Sequence, residues 1–206
     1  MDRSSRFPAA LVSLGLITTA CFAEKPRIRE DAHAELIGKP APTILADVHL
    51  NGTPVKSADL KGKVVLIGFW AVWCTPSVRS FPQLRAWHKE YRDQGLEVIG
   101  VTYYNEIYDF DRAAGTLTTL DPKNALVKAD EQAMLRYFAA HHKLDYRLWA
   151  VDKTEWDRCR SECKLRTIPT MMLIDRRGTV RLIRSVASEE TARETEMAIK
   201  VLLAEK

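Results

Sequence analysis

The chain has 206 residues, 46% hydrophobic and 28% charged, with a formal net charge of +4. That length and mixture point to one globular domain with a substantial core and exclude a fibrous or low-complexity chain. The charge excess is small and the basic residues are scattered among acids, so composition gives no support to nucleic-acid binding.

Residues 1–23 have the layout of a secretory signal peptide: a basic start at Arg3 and Arg6, an apolar stretch from Phe7 to about Ala23, and small residues at its end. The apolar run is shorter than the ~20 residues of a spanning helix. Secretion is therefore expected ahead of an uncleaved anchor. Cleavage before Cys21 would leave an amino-terminal cysteine able to carry lipid, although Thr18 is a poor match to the leucine of a bacterial lipoprotein signal. The expected location is secreted or periplasmic, with membrane attachment only through lipid on Cys21 or an uncleaved signal. Residues 24–35 are charged and contain a proline, which reads as a flexible leader before a domain at 36–206.

Thr43 to Leu50 offers a strand, Asn51-Gly52 a tight turn and Thr53 to Val55 a return, together an amino-terminal β-hairpin. Val64-Val65-Leu66-Ile67-Gly68-Phe69 is a continuous apolar run, as expected of a central strand buried on both faces. Pro76 to about Gln94 reads as a helix ended by Gly95, with Phe81, Leu84, Trp87 or His88, and Tyr91 on one face and a kink or tight first turn at Pro82. Leu96 to Thr102 is a second buried strand, so the unit strand–helix–strand is parallel. Tyr103 to Asp130 has no clean period and is expected to be a loop-rich insertion. Glu131 to His142 is a helix, Arg147 to Val151 a strand, and Thr154 to about Leu165 a helix. Thr170–Asp175 and Thr179–Ser185 form a hairpin about Arg176-Arg177-Gly178, and a last helix runs from Ser188, its N-cap, to about Ala204. The pattern is α/β.

At the junction of the first buried strand and its helix stands Trp73-Cys74-Thr75-Pro76-Ser77. A Cys-x-x-Cys pair in such a place reduces a disulfide in two steps: one thiolate attacks, and the second resolves the mixed disulfide. With Ser77 in the second position, attack survives and local resolution does not. Cys74 is expected at a helix amino-terminus, where free backbone N–H groups and the helix dipole favour an anion. Ser77 reads either as a donor to that thiolate or as a surface serine. Cys159 and Cys163, four apart on a helix face, have three readings. They form a disulfide, for which the separation is long; or one of them resolves a mixed disulfide on Cys74; or they are two unconnected thiols. A zinc set from Cys159, Cys163, His141 and His142 is set aside because adjacent histidines point apart on a helix. No metal or cofactor is called for.

Five segments together resemble the extracytoplasmic thioredoxin-like redoxins related to alkyl hydroperoxide reductase and thiol-specific antioxidant proteins. They are Gly38-Lys39-Pro40-Ala41-Pro42, Leu60-Lys61-Gly62-Lys63-Val64-Val65, Phe69-Trp70-Ala71-Val72-Trp73-Cys74, Thr167-Ile168-Pro169-Thr170 and Leu173-Ile174-Asp175-Arg176-Arg177-Gly178, in the family's order. The resemblance implies a thioredoxin fold: a central mixed sheet flanked by helices, with the insertion after the second parallel strand. It also implies that Pro169 is a cis-proline beside Cys74, and that Trp73, Thr75, Pro76, Ile168 and Thr170 border a substrate groove. Three departures stand out. Ser77 replaces the resolving cysteine, and Gly68 and Ser80 occupy the positions where relatives keep a buried aspartate or glutamate. The family usually has an aromatic residue where Cys163 stands.

The leading expectation is a secreted thiol–disulfide oxidoreductase acting through Cys74 on protein or peptide disulfides or small thiols. A thiol peroxidase is the second, weakened because the Pro-x-x-x-Thr-x-x-Cys arrangement of peroxiredoxins is absent. A thioredoxin-fold binding module without turnover is the third.

Overall fold

The computed structural model describes residues 33–185 and 188–205. The expected signal peptide and residues 24–32 of the expected leader lie outside them. From residue 36 onward the chain first lies along one sheet edge. The Gly38 N–H donates to the Val180 carbonyl and the Ala41 N–H to the Gly178 carbonyl. It then crosses one face of the sheet to reach the opposite edge at β1, Val48–Asn51.

Here the expected hairpin fails. β1 pairs antiparallel with a strand 97 residues further on, and no strand returns over Thr53–Val55. Asn51 is the reason: its Nδ2 donates to the Leu144 carbonyl at 2.9 Å and its Oδ1 accepts the Leu148 N–H at 2.8 Å. A side chain so engaged clasps the sheet edge instead of forming a turn corner. Gly52 does take the left-handed conformation that a turn needs (φ +72°), but the Thr53 carbonyl is then captured by the Arg147 guanidinium.

β2 (Val64–Phe69) is buried at every position and sits between two partners, as its unbroken apolar run requires. It leads into α1 (Thr75–Tyr91), which continues through Pro82; a short 3₁₀ turn and Gly95, at φ +105°, end that segment. β3 (Leu96–Tyr103) pairs parallel with β2. The following segment, read as loop, contains an antiparallel pair, β4 (Tyr108–Asp111) and β5 (Thr116–Thr119). Its turn is organised by Asp111 Oδ1, which accepts the N–H groups of Ala113 and Ala114. Four-residue strands with mostly exposed side chains carry too little alternation to be read from sequence.

α2 (Lys128–His141) starts three residues earlier than its apolar period suggests, and β6 (Arg147–Val151) pairs parallel with β3. α3 (Lys153–Glu162), β7 (Thr170–Ile174), β8 (Val180–Ser185) and α4 (Glu189–Ala204) complete the order. Ser188 caps α4 as expected, its Oγ accepting the Thr191 N–H. The six-stranded sheet runs β1-β6-β3-β2-β7-β8, mixed in direction.

Two apolar layers follow from the alternation along these strands. On one face Leu66, Val98 and Leu173 meet Phe81, Leu84 and Trp87 of α1, Met134 and Phe138 of α2, and Ile199 and Leu202 of α4. On the other, Ile67, Val101 and Met172 meet Trp156, Cys159 and Cys163. His141 and His142 pack on Phe110 and Phe138 in the first layer, so the two cysteines and two histidines are on opposite sides of the sheet.

Candidate active site

The buried strand β2 fixes where the chemistry can sit. It delivers Trp70 to Trp73 at its carboxyl end, and Cys74 becomes the N-cap of α1 with extended backbone (φ −88°, ψ 92°). The N–H groups of Ser77 and Val78 donate to the Cys74 carbonyl at 2.8 and 3.1 Å, closing the first turn. The Cys74 side chain is 5% exposed, and its Sγ–H donates to the Ile168 carbonyl at 3.5 Å. The Ile168–Pro169 peptide bond is cis.

A cleft of about 340 Å³ opens over the sulfur, bordered by Trp73, Tyr103, Trp156, Leu165, Thr167 and Ile168 among others. Trp156 stacks on Tyr103 with ring centroids 4.5 Å apart, making a flat aromatic wall. Trp73 is 42% exposed and forms the rim. Thr75 and Pro76 are exposed on the first turn of α1 but do not border the cleft. Thr170 is fully buried; its hydroxyl donates to the Thr167 carbonyl at 2.7 Å and so shapes the loop instead of facing the groove.

Ser77 is neither on the surface nor bonded to the thiol. It is fully buried, and its hydroxyl has no hydrogen-bond partner among the described residues. Ser80 is also buried, and its hydroxyl donates back to the Ser77 carbonyl at 2.7 Å. With Gly68 beneath Leu84, neither position 68 nor position 80 carries an acid.

Cys159 and Cys163 are free thiols, 1% and 0% exposed, in the apolar layer behind the aromatic wall. The Cys159 Sγ–H points at Glu155 Oε1, 3.7 Å away. Burial pushes both thiols up to about 12, with the nearby carboxylates adding to the effect. They are therefore protonated, and non-nucleophilic, at neutral pH. Of these three cysteines, only Cys74 should be alkylated by iodoacetamide in the native protein at pH 8, the other two reacting after unfolding; peptide mapping decides it. The same shifts make stability present below about pH 9 and lost as pH rises towards about 12, because the unfolded thiols release their protons first.

A support not legible in the sequence holds the rim. Trp73 Nε1–H donates to Asn105 Oδ1 at 3.0 Å, and the backbone N–H groups of Asn105 and Glu106 donate to the two oxygens of Glu131 at 2.6 and 2.9 Å. Glu131 is fully buried in the first turn of α2. Burial raises its carboxyl above the ordinary range, against the pull of the two N–H donors. Glu131→Gln should cost about 1–3 kcal/mol, since an amide NH₂ would face a buried N–H donor. Urea unfolding at pH 5 and pH 8 checks this. The wild type loses stability from this group as pH rises through the raised folded value, and the variant lacks that slope.

Residues 37–183, most of the chain, match the AhpC/TSA family. The chain belongs to that family. Among curated proteins of similar sequence, the thiol-disulfide oxidoreductase ResA of Bacillus subtilis is 35% identical over 85 residues, covering 41% of this chain and 43% of that protein. Protein DipZ of Mycobacterium bovis is 41% identical over 64 residues, 31% of this chain and 9% of that protein. The chain thus spans less than half the length of these relatives. Among solved structures, a thiol-disulfide isomerase from Corynebacterium glutamicum aligns with a TM-score of 0.60 and 18% identity over 82% of this chain and 98% of that one. A thiol:disulfide interchange protein from Chlorobium tepidum aligns with a TM-score of 0.58 and 20% identity, over 80% and 96%. At these identities the likeness establishes the thioredoxin-like fold. Tyr103, Trp156, Arg160 and Arg166 border the cleft, and Asn105 and Glu131 support its rim, without having been assigned to a site from the sequence. Only the aromatic residues carried a signal, as apolar groups at the ends of a strand and a helix face.

Proposed function

We propose that this AhpC/TSA member is a thiol–disulfide oxidoreductase that works through one nucleophile, Cys74, outside the cytosol. The observation that carries the reading is placement: Cys74 alone among the described cysteines borders an open cleft, and it does so at the amino-terminus of a 17-residue helix. The helix start holds the sulfur at the cleft, and the aromatic rim gives a disulfide-bearing group an apolar surface to lie on.

In the reaction, Cys74 Sγ attacks one sulfur of the substrate disulfide. The substrate S–S bond breaks, the second sulfur leaves as a thiolate, and Cys74 is left in a mixed disulfide. Resolution requires a second thiol. Ser77 cannot supply it, and Cys159 and Cys163 are buried and held protonated, so the reading assigns it to a thiol from outside the chain. An enzyme of this kind favours isomerisation or exchange over net reduction, because it ends each cycle with no disulfide of its own. The relatives named as thiol–disulfide proteins and the secretory pattern of residues 1–23 support the same reading.

The test is turnover of a glutathionylated peptide with a free small thiol as co-substrate. Multiple turnovers per protein molecule support the reading. A rate equal to that of the small thiol alone removes it.

A further inference from the structure

The charged residues around the cleft are all of one sign. Arg160, near the end of α3, and Arg166, in the loop before Pro169, are the charged side chains that border it among the described residues. Both are exposed, and neither has an ion pair or hydrogen bond to a described residue. Arg158 on the same helix shows the contrast. Its guanidinium is taken up by Glu155, Glu162 and the Thr43 carbonyl. The three acids within α3, Glu155, Asp157 and Glu162, are engaged by Arg158 or Lys153 instead of by the two cleft arginines.

Two free guanidiniums in a concave site beside a nucleophilic sulfur are suited to carboxylates, which they bind through paired N–H donors. The cleft volume of about 340 Å³ is at the small end of the range for ligand sites, enough for a tripeptide-sized group and too small for a folded partner to enter. We propose that the cleft takes a low-molecular-weight thiol carrying carboxylates, presented as its disulfide or as a mixed disulfide. Its carboxylates lie against Arg160 and Arg166, and its apolar stem lies against Trp73 and Tyr103. This rests on the single-nucleophile reading above and names the substrate class for it.

The chemistry balances with that thiol alone. Cys74 thiolate attacks the acidic component's sulfur in the mixed disulfide; a Cys74–S–S bond forms, and the other component leaves as a thiolate and is protonated by water. A second molecule of the acidic thiol, entering as its thiolate, attacks the same acidic sulfur. Cys74 thiolate is released, and the two acidic thiols depart as their disulfide. One acidic thiol has been consumed and the other component released as its thiol, so the cycle is a disulfide exchange: the acidic sulfur of the original mixed disulfide leaves as half of the acidic disulfide.

The test compares the rate at which the reduced full-length protein gains an adduct at Cys74 from glutathione disulfide and from its ethyl-esterified form, by intact mass. The acid form is expected to react about tenfold faster, equivalent to ~1.4 kcal/mol. At about 0.5 M salt the advantage should shrink, since exposed charges are screened. An Arg160→Gln/Arg166→Gln double variant should bring the ratio close to one. Equal rates for acid and ester in the wild type, or a ratio unmoved by both salt and the double variant, overturn this inference and leave the proposed function intact. No adduct at Cys74 from either disulfide overturns the proposed function itself.

Discussion

Cys74→Ala is expected to abolish turnover of glutathionylated peptide or insulin, by about 10³-fold or more, as removal of a covalent nucleophile does elsewhere. The argument is one of access. The cleft over the sheet's carboxyl end reaches a single sulfur, while Cys159 and Cys163 lie under Trp156 in an apolar layer and keep their protons. Neither can substitute for the missing attack. The variant should fold normally, because Cys74 contributes one long 3.5 Å contact to Ile168 and no cap hydrogen bond. Parallel assays of Cys159→Ala and Cys163→Ala should retain turnover. Retained turnover in Cys74→Ala would remove the nucleophile assigned here, and lost turnover in Cys163→Ala would move the resolving step inside the chain.

Ser77→Cys is expected to have the second largest effect, by restoring the step that the natural sequence lacks. Position 77 is the third residue of α1, one turn beyond the N-cap sulfur, and its N–H already donates to the Cys74 carbonyl at 2.8 Å. The introduced thiol would meet a mixed disulfide on Cys74 at an effective concentration no dissolved thiol reaches, so release of the bound half should accelerate by about 100-fold or more. The gain should stay below that of a complete dithiol site. Gly68 and Ser80 leave no buried carboxylate to take the second proton, so the introduced thiol must ionise without help. Stability should not suffer, because the serine hydroxyl being replaced is buried without a partner. Single-turnover release of a fluorescent thiol from Cys74 measures the effect, and an unchanged release rate would show that position 77 does not face the sulfur.

Much of the frame was legible because it rests on local signals. A six-residue apolar run rich in β-branched residues reads as an interior strand, Gly95 and Ser188 are strong end signals, and the Trp73–Ser77 motif marks a strand–helix junction. The hairpin at Asn51-Gly52 was misread because the dipeptide is a turn signal only when its side chain is free. Here Asn51 is bonded to Leu144 and Leu148, residues that sequence order keeps far away. Glu131 looked like an ordinary acid in a helix's first turn, and nothing in the sequence joins it to Asn105, 26 positions earlier. The cleft arginines are invisible for a related reason. Arg158, Arg160 and Arg166 are alike as letters, and only the face of α3 for the first two and the loop before Pro169 for the third decide which is paired and which borders the cleft.

The account turns on a sulfur that attacks and is not resolved from within. One measurement reads this directly: the reduced protein is mixed with one equivalent of glutathione disulfide and followed by intact mass and disulfide mapping. The account predicts a single glutathione adduct on Cys74 that persists until a free thiol is added. Loss of the adduct without added thiol, with appearance of a Cys74–Cys163 or Cys74–Cys159 peptide, would contradict it.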